Sequence, residues 1–187
     1  MRNLYIFDCF GVIISEVSSL FTDKYLNDEQ KKYMRSVVFR NLDKGVITMD
    51  DMFVTLAELS NVSVEQAKRE WASYECLFAD TVDVIKQLKA QGHCIALLSN
   101  AATSYIDYLF NKYGLFGLFD KVFVSAAYGY AKPDCEFYKL CVDSFTEQFN
   151  NIYFTDDNPN NLRDLERFGI TPILFKGASD LVQKLGV

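Results

Sequence analysis

Apolar residues in this chain collect in short unbroken runs that stop at polar side chains. "LYIFD" at 4–8, "IALLSN" at 95–100, "VFVSA" at 122–126 and "IYFTDD" at 152–157 share that form, and "TPILF" at 171–175 has the same character. A strand buried on both faces requires such runs, because neither face can carry polar residues. From residue 81 onward the intervening apolar positions change to helical spacing, as with Val84, Ile85 and Leu88 before Gly92. Strand alternating with helix predicts an α/β fold, a Rossmann-like doubly wound parallel sheet with helices on both faces. Ligands of such sheets bind beyond the carboxyl ends of the strands, near the point where strand order reverses. Asp8, Ser99, Asn100, Asp156 and Asp157 all stand at predicted strand ends, so the fold would bring them together.

The alternation fails between residues 14 and 80, where the pattern is helical. Asn27 or Asp28 starts a helix that carries Tyr33, Met34, Val37 and Val38, and Gly45 ends it. Thr48 is placed to cap "MDDMFVTLAEL", and Ser63 with Gln66 has capping-box spacing before "EQAKREWASYE". The expected organisation is a core domain of residues 1–13 and 81–187, interrupted by a small helical cap domain over 14–80. An insertion directly after the first strand hangs over the strand ends, where it excludes water and selects substrate.

Composition narrows the function. With 19 Lys and Arg against 25 Asp and Glu, the net charge of −6 argues against a nucleic-acid or anionic-membrane surface. No run approaches the roughly 18–20 apolar residues of a membrane span, and residues 1–15 lack a signal-peptide pattern, so the expected location is cytoplasmic. The five cysteines, Cys9, Cys76, Cys94, Cys135 and Cys141, show no zinc-like spacing and read as reduced thiols. His93, the one histidine, reads as structural.

Chemistry-bearing residues form one coherent set: Asp8, the Ser99–Asn100 pair, Lys132 in "YAKPD" and the acidic pair Asp156–Asp157. Carboxylates from two strands and a backbone carbonyl suit a hard divalent cation such as Mg2+. Lysine and hydroxyl donors suit phosphate oxygens, and phosphoryl transfer is mostly positioning and charge stabilisation. Each residue also has a plain structural reading. Ser99 could cap a helix, Lys132 could be a surface charge, and Asp157 could cap a helix beginning near Asn158.

"FDCFGVI", "LLSN", "AKPD" and "FTDDNPNNL", in that order and spacing, resemble the motifs of the haloacid dehalogenase (HAD) superfamily. The insertion after the first motif and "LDKGVITMDDMF" within it look most like its capped sugar-phosphate phosphatases. The resemblance implies a HAD-like core and a magnesium-dependent phosphatase acting on a small phosphorylated metabolite, of which a sugar phosphate is one candidate. It makes Asp8 the nucleophile that forms an aspartyl-phosphate, and gives Ser99, Asn100 and Lys132 to the phosphoryl group, with Lys132 also neutralising Asp8. It gives Asp8, Asp157 and the Phe10 carbonyl to the metal, with Asp156 in its outer shell or paired with the lysine. Arg35 and Arg40 could meet a second anionic group, and Tyr128 and Tyr130 could line the mouth, although surface and packing are the default readings.

One position departs from the family pattern. Its phosphatases place a second aspartate two residues after the first, as general acid and base, and here Phe10 stands there. Phenylalanine cannot move a proton, and loss of such help slows a reaction by ~10²–10⁴-fold. A slowed phosphatase is therefore the leading expectation. The alternative is a catalytically weak or inactive binding or regulatory module. Haloacid dehalogenation ranks below both, because it needs no metal and leaves the acidic pair without a purpose.

Overall fold

A computed structural model describes residues 2–186. Five strands, β1 (Leu4–Phe7), β2 (Cys94–Ser99), β3 (Lys121–Val124), β4 (Ile152–Asp156) and β5 (Ile170–Leu174), form one sheet in the order β3-β2-β1-β4-β5. Every pairing is parallel. The central strands β1 and β2 are buried throughout, which accounts for their unbroken apolar runs. Alternate side chains feed two cores. Tyr5, Phe7, Ile95 and Leu97 join one, and Leu4, Ile6, Ala96 and Leu98 join the other.

The helices α6 (Ala79–Ala90), α7 (Thr103–Tyr113) and α10 (Ala178–Leu185) cover the first face. The second face is covered by α9 (Cys135–Asp143), through Phe137, Tyr138 and Cys141. The doubly wound sheet expected from the sequence is therefore present. Strand boundaries differ slightly: the run at 122–126 ends as a strand at Val124, because Ser125 begins a short helix, α8 (Ser125–Tyr128).

Helices fill most of residues 17–73: α1 (Val17–Tyr25), α2 (Asp28–Tyr33), α3 (Arg40–Asp43), α4 (Met49–Ser60) and α5 (Val64–Ser73). Asn27 caps α2 in a capping box with Gln30. Thr48 caps α4 in the same manner with Asp51, and the Ser63 hydroxyl accepts from the Gln66 N–H at the start of α5. The single helix expected between Asn27 and Gly45 winds as a wider π-helix over Met34–Phe39. A wider turn shifts the phase of the side chains that follow it, which periodicity at 3.6 residues does not anticipate. The chain enters and leaves this segment along paired strands of linker. Ser15 N–H donates to the Cys76 carbonyl at 2.9 Å, and Phe78 N–H donates to that of Ile13 at 2.8 Å.

Candidate active site

Register brings the strand ends together. Phe7 pairs with Thr155 and with Leu97, so Asp8, Asp156 and Ser99 follow at one edge of the sheet, and β1 is where strand order reverses. Gly11, with φ of 74°, turns the chain just past Asp8. A Cβ there would collide with the Asp157 carboxylate, so only glycine lets the two loops approach this closely.

Lys132 is the electrostatic centre. Its side chain is fully buried, with Nζ 2.7 Å from Asp8 Oδ1 and 2.8 Å from Asp156 Oδ2. Burial works against the ammonium charge, but Asp156 and Asp8 outweigh it and hold the Lys132 pKa above its ordinary value. Burial pushes the Asp8 carboxyl up, and Lys132 is the main influence opposing that. The Cys9 N–H also donates to Asp8 Oδ1, at 2.7 Å.

Asp156 has both oxygens engaged. Besides Lys132 it accepts from the Asn158 N–H at 2.8 Å and from Asn161 Nδ2, 3.1 Å from each oxygen. Asp157 makes no such bond to a side chain among the described residues, and burial together with the charge of Asp156 raises its pKa to about 6. Oxygens of Asp8, Asp156 and Asp157 lie within 4.8 Å of one another. This donor set fits a hard divalent cation. Asp8 and Asp157 have the open oxygens, and Asp156 is committed to lysine and asparagine.

The structural alternatives for these residues are excluded by their places. Lys132 is not at the surface. The N-cap position of the helix after β2 is Ala102, not Ser99, and the 3-10 turn after β4 is capped by Asn158, not Asp157. Ser99 is fully buried, and its Oγ lacks a partner among the described residues. Such a group costs about 1–3 kcal/mol unless something accepts or donates to it. Asn100 lines the site cavity beside Asp8 and Lys132, and its carboxamide accepts from the Lys132 N–H at 2.8 Å and donates to the Lys132 carbonyl at 2.9 Å. It thus holds the lysine loop.

A cavity of about 190 Å³ opens beside Asp8, Lys132 and Asp157. Phe39, Leu42, Met49 and Trp71 of the helical segment wall it, facing Phe10 and Tyr105. Phe10 stacks on Tyr105 with ring centroids 5.6 Å apart. Trp71 Nε1 donates to the Tyr105 hydroxyl at 2.8 Å, which donates onward to Glu75 at 3.0 Å. Arg35 and Arg40 line a neighbouring cleft of about 240 Å³. Tyr128 and Tyr130 are exposed and away from the cavity. Cys9 is buried in the core, where its thiol is raised by burial, and His93 accepts from the Asn3 N–H while packing on Tyr5.

Sequence reasoning missed Asn161, Glu16 and Asp43. Asn161 stands in the quoted "FTDDNPNNL", but its bond to Asp156 depends on the 3-10 turn. Glu16 and Asp43 reach the cavity from the helical segment, through turns whose direction periodicity does not give.

Residues 3–169 match the model of the haloacid dehalogenase-like hydrolases, and the chain belongs to that family of enzymes. A sesquiterpene phosphatase, astK of Aspergillus oryzae, is 26% identical over 88% of this chain and 85% of its own length. Drimenol cyclase drtB of Aspergillus calidoustus is 22% identical over 81% of this chain, which spans only 30% of that protein. Among solved structures, a HAD family enzyme of Bacteroides thetaiotaomicron superposes with a TM-score of 0.78 at 22% identity, covering 99% of this chain and 98% of its own. L-2-haloacid dehalogenase of Xanthobacter autotrophicus gives 0.62 at 17% identity, covering 92% and 76%.

Proposed function

We propose that this hydrolase is a magnesium-dependent phosphatase that works through an aspartyl-phosphate on Asp8. The observation that carries this reading is the buried Lys132 bridging Asp8 and Asp156, with Asp157 open beside them. Asp8 attacks phosphorus, the ester bond to the leaving oxygen breaks, and water then cleaves the acyl phosphate. Lys132 offsets the repulsion between the carboxylate and the anionic substrate, and the orphaned Ser99 Oγ donates to a phosphoryl oxygen. Mg2+ held by Asp8, Asp157 and the Phe10 carbonyl would supply charge neutralisation at the phosphoryl oxygens. The B. thetaiotaomicron enzyme is also known as a complex with magnesium and inorganic phosphate, which supports the choice of ion.

We read residues 14–80 as the cap of this site. Phe39, Leu42, Met49 and Trp71 give the cavity an apolar wall beside the polar Glu16, Ser18 and Asp43, and we read that wall as favouring an apolar organic group over a sugar. The sesquiterpene phosphatase relative agrees with that preference. Phe10 favours a second reading, a binding module of little activity.

One screen tests both. Prenyl, sugar and aryl monophosphates are offered with Mg2+ and with chelator, alongside 2-chloropropionate. Phosphate release lost on chelation, with prenyl above sugar substrates, is the expected result; chloride release would overturn it, and no turnover with retained binding would favour the module. Asp8→Asn should remove activity while the fold persists, because no other group supplies the nucleophilic oxygen. Retention of more than about a tenth of the rate would show that Asp8 is not the nucleophile.

A further inference from the structure

Position 10 leaves the site without the proton donor that an alkyl leaving group requires, since its ring is stacked on Tyr105. A poor leaving oxygen must be protonated as it departs, and the attacking water must lose a proton. The cavity nevertheless holds a carboxyl outside the metal cluster. Asp43, at the end of α3, lines it together with Asp8 and Lys132.

The turn that carries Asp43 is fixed against the sheet domain's side of the molecule. α3 packs on α8, and Gly45, with φ of 70°, lies so close that a Cβ would come within 2.6 Å of the Ala126 carbonyl oxygen. Lys44 Nζ pairs with Asp134 Oδ2 at 3.0 Å, and the Val46 N–H donates to the Asn41 carbonyl at 2.8 Å. Asp43 is therefore held in place by its neighbours in the chain, and its carboxyl has no hydrogen-bond or ion-pair partner among the described residues.

We propose that Asp43 is the proton-transfer residue of this site, taking the part that Phe10 cannot play. The inference rests on the phosphatase reading. In the first half-reaction Asp8 forms a bond to phosphorus as the bond to the leaving oxygen breaks, and the Asp43 proton passes to that oxygen to give the alcohol. In the second, the Asp43 carboxylate takes a proton from water as the water oxygen bonds to phosphorus. The Asp8–phosphorus bond breaks, inorganic phosphate leaves, and both carboxyl groups return to their starting states.

The electrostatic surroundings agree with this use. Burial raises the Asp43 pKa to about 7, with Lys132 lowering it and Glu16 raising it. Asp8 and Asp157 share the cavity with it. Arg40 and Lys44 lie on its own turn, and Arg35 and Asp134 line the cleft behind, where Asp134 is taken by Lys44. Glu16 is the rival carboxyl, but it accepts a hydrogen bond from the Ser18 hydroxyl.

The test compares wild type, Asp43→Asn and Glu16→Gln on a prenyl or other alkyl phosphate and on an aryl phosphate, with rapid-quench measurement of phosphoenzyme. Asp43→Asn should lose ~10²–10⁴-fold on the alkyl ester. Its phosphorylation by the aryl ester should persist, and phosphoenzyme should accumulate because water is no longer deprotonated. In wild type, kcat/KM for the alkyl ester should fall as pH rises through about 7, a limb that Asp43→Asn lacks. An active wild type with an Asp43→Asn rate within threefold on the alkyl ester overturns the assignment and leaves the phosphatase intact. A selective alkyl loss in Glu16→Gln alone transfers the role to Glu16. If wild type forms no phosphoenzyme from either ester, the phosphatase reading itself has failed. The wild-type pH limb needs no variant, so a poorly folding Asp43→Asn cannot shield the proposal.

Discussion

Asp156 and Asp157 are adjacent, yet their surroundings demand opposite outcomes on removal. Asp156→Ala withdraws one of two partners from a buried lysine and strands Asn161 and the Asn158 N–H, which should cost about 3 kcal/mol or more. Asp157→Ala removes a carboxylate already resisting its charge, so stability should change little while Mg2+ affinity collapses. Urea denaturation and isothermal titration with Mg2+ separate the two; the reverse ordering in both would exchange their roles. Asp8, Ser99 and this pair were readable as strand-end residues because strand ends are marked by where an apolar run stops, whereas Lys132, in the loop beyond α8, was singled out by the "AKPD" motif. The bonds Asn100 makes to the Lys132 backbone were not legible, since a carboxamide facing a distant backbone looks the same in sequence as any other.

At the scale of elements, the five apolar runs and the capping residues were readable because burial and unpaired N–H groups act locally. The π-helix over Met34–Phe39 was not, and it lies directly before the turn that presents Asp43. Gly45 shows how strictly that turn is held. Gly45→Ala places a side chain in the left-handed region, at about 1–2 kcal/mol, and drives its Cβ toward the Ala126 carbonyl. We expect destabilisation of about 2 kcal/mol and a selective loss of alkyl-phosphate turnover, since α3 must move off α8. A variant of wild-type stability with full activity on both esters would mean that the turn is not fixed by this contact.

Across the whole molecule, the carboxyl groups whose pKa is shifted fall into two sets with opposite effects on pH stability. Asp23, Asp51, Glu70, Asp120 and Asp134 have lowered pKa values, so their contribution is complete above about pH 4 and is lost in stronger acid. Asp43 and Asp157 are raised, to about 7 and about 6, and burial raises Asp8 as well, so the folded state binds protons more tightly than the unfolded chain, and stability falls as pH climbs from about 4 through those values. Metal-free protein should therefore be most stable near pH 5. A tenfold difference in proton affinity is worth about 1.4 kcal/mol, and water entering the cavity reduces the full effect, so a loss of about 2 kcal/mol is expected between pH 5 and pH 8. For a chain of this size that lowers Tm by about 4–8 °C. Asp43→Asn should flatten the decline, and Mg2+ at pH 8 should restore much of it by binding the folded state alone. Melting curves at the two pH values, with and without Mg2+, test this; a Tm that rises from pH 5 to pH 8 in chelator would mean that these cavity carboxyls ionise without cost.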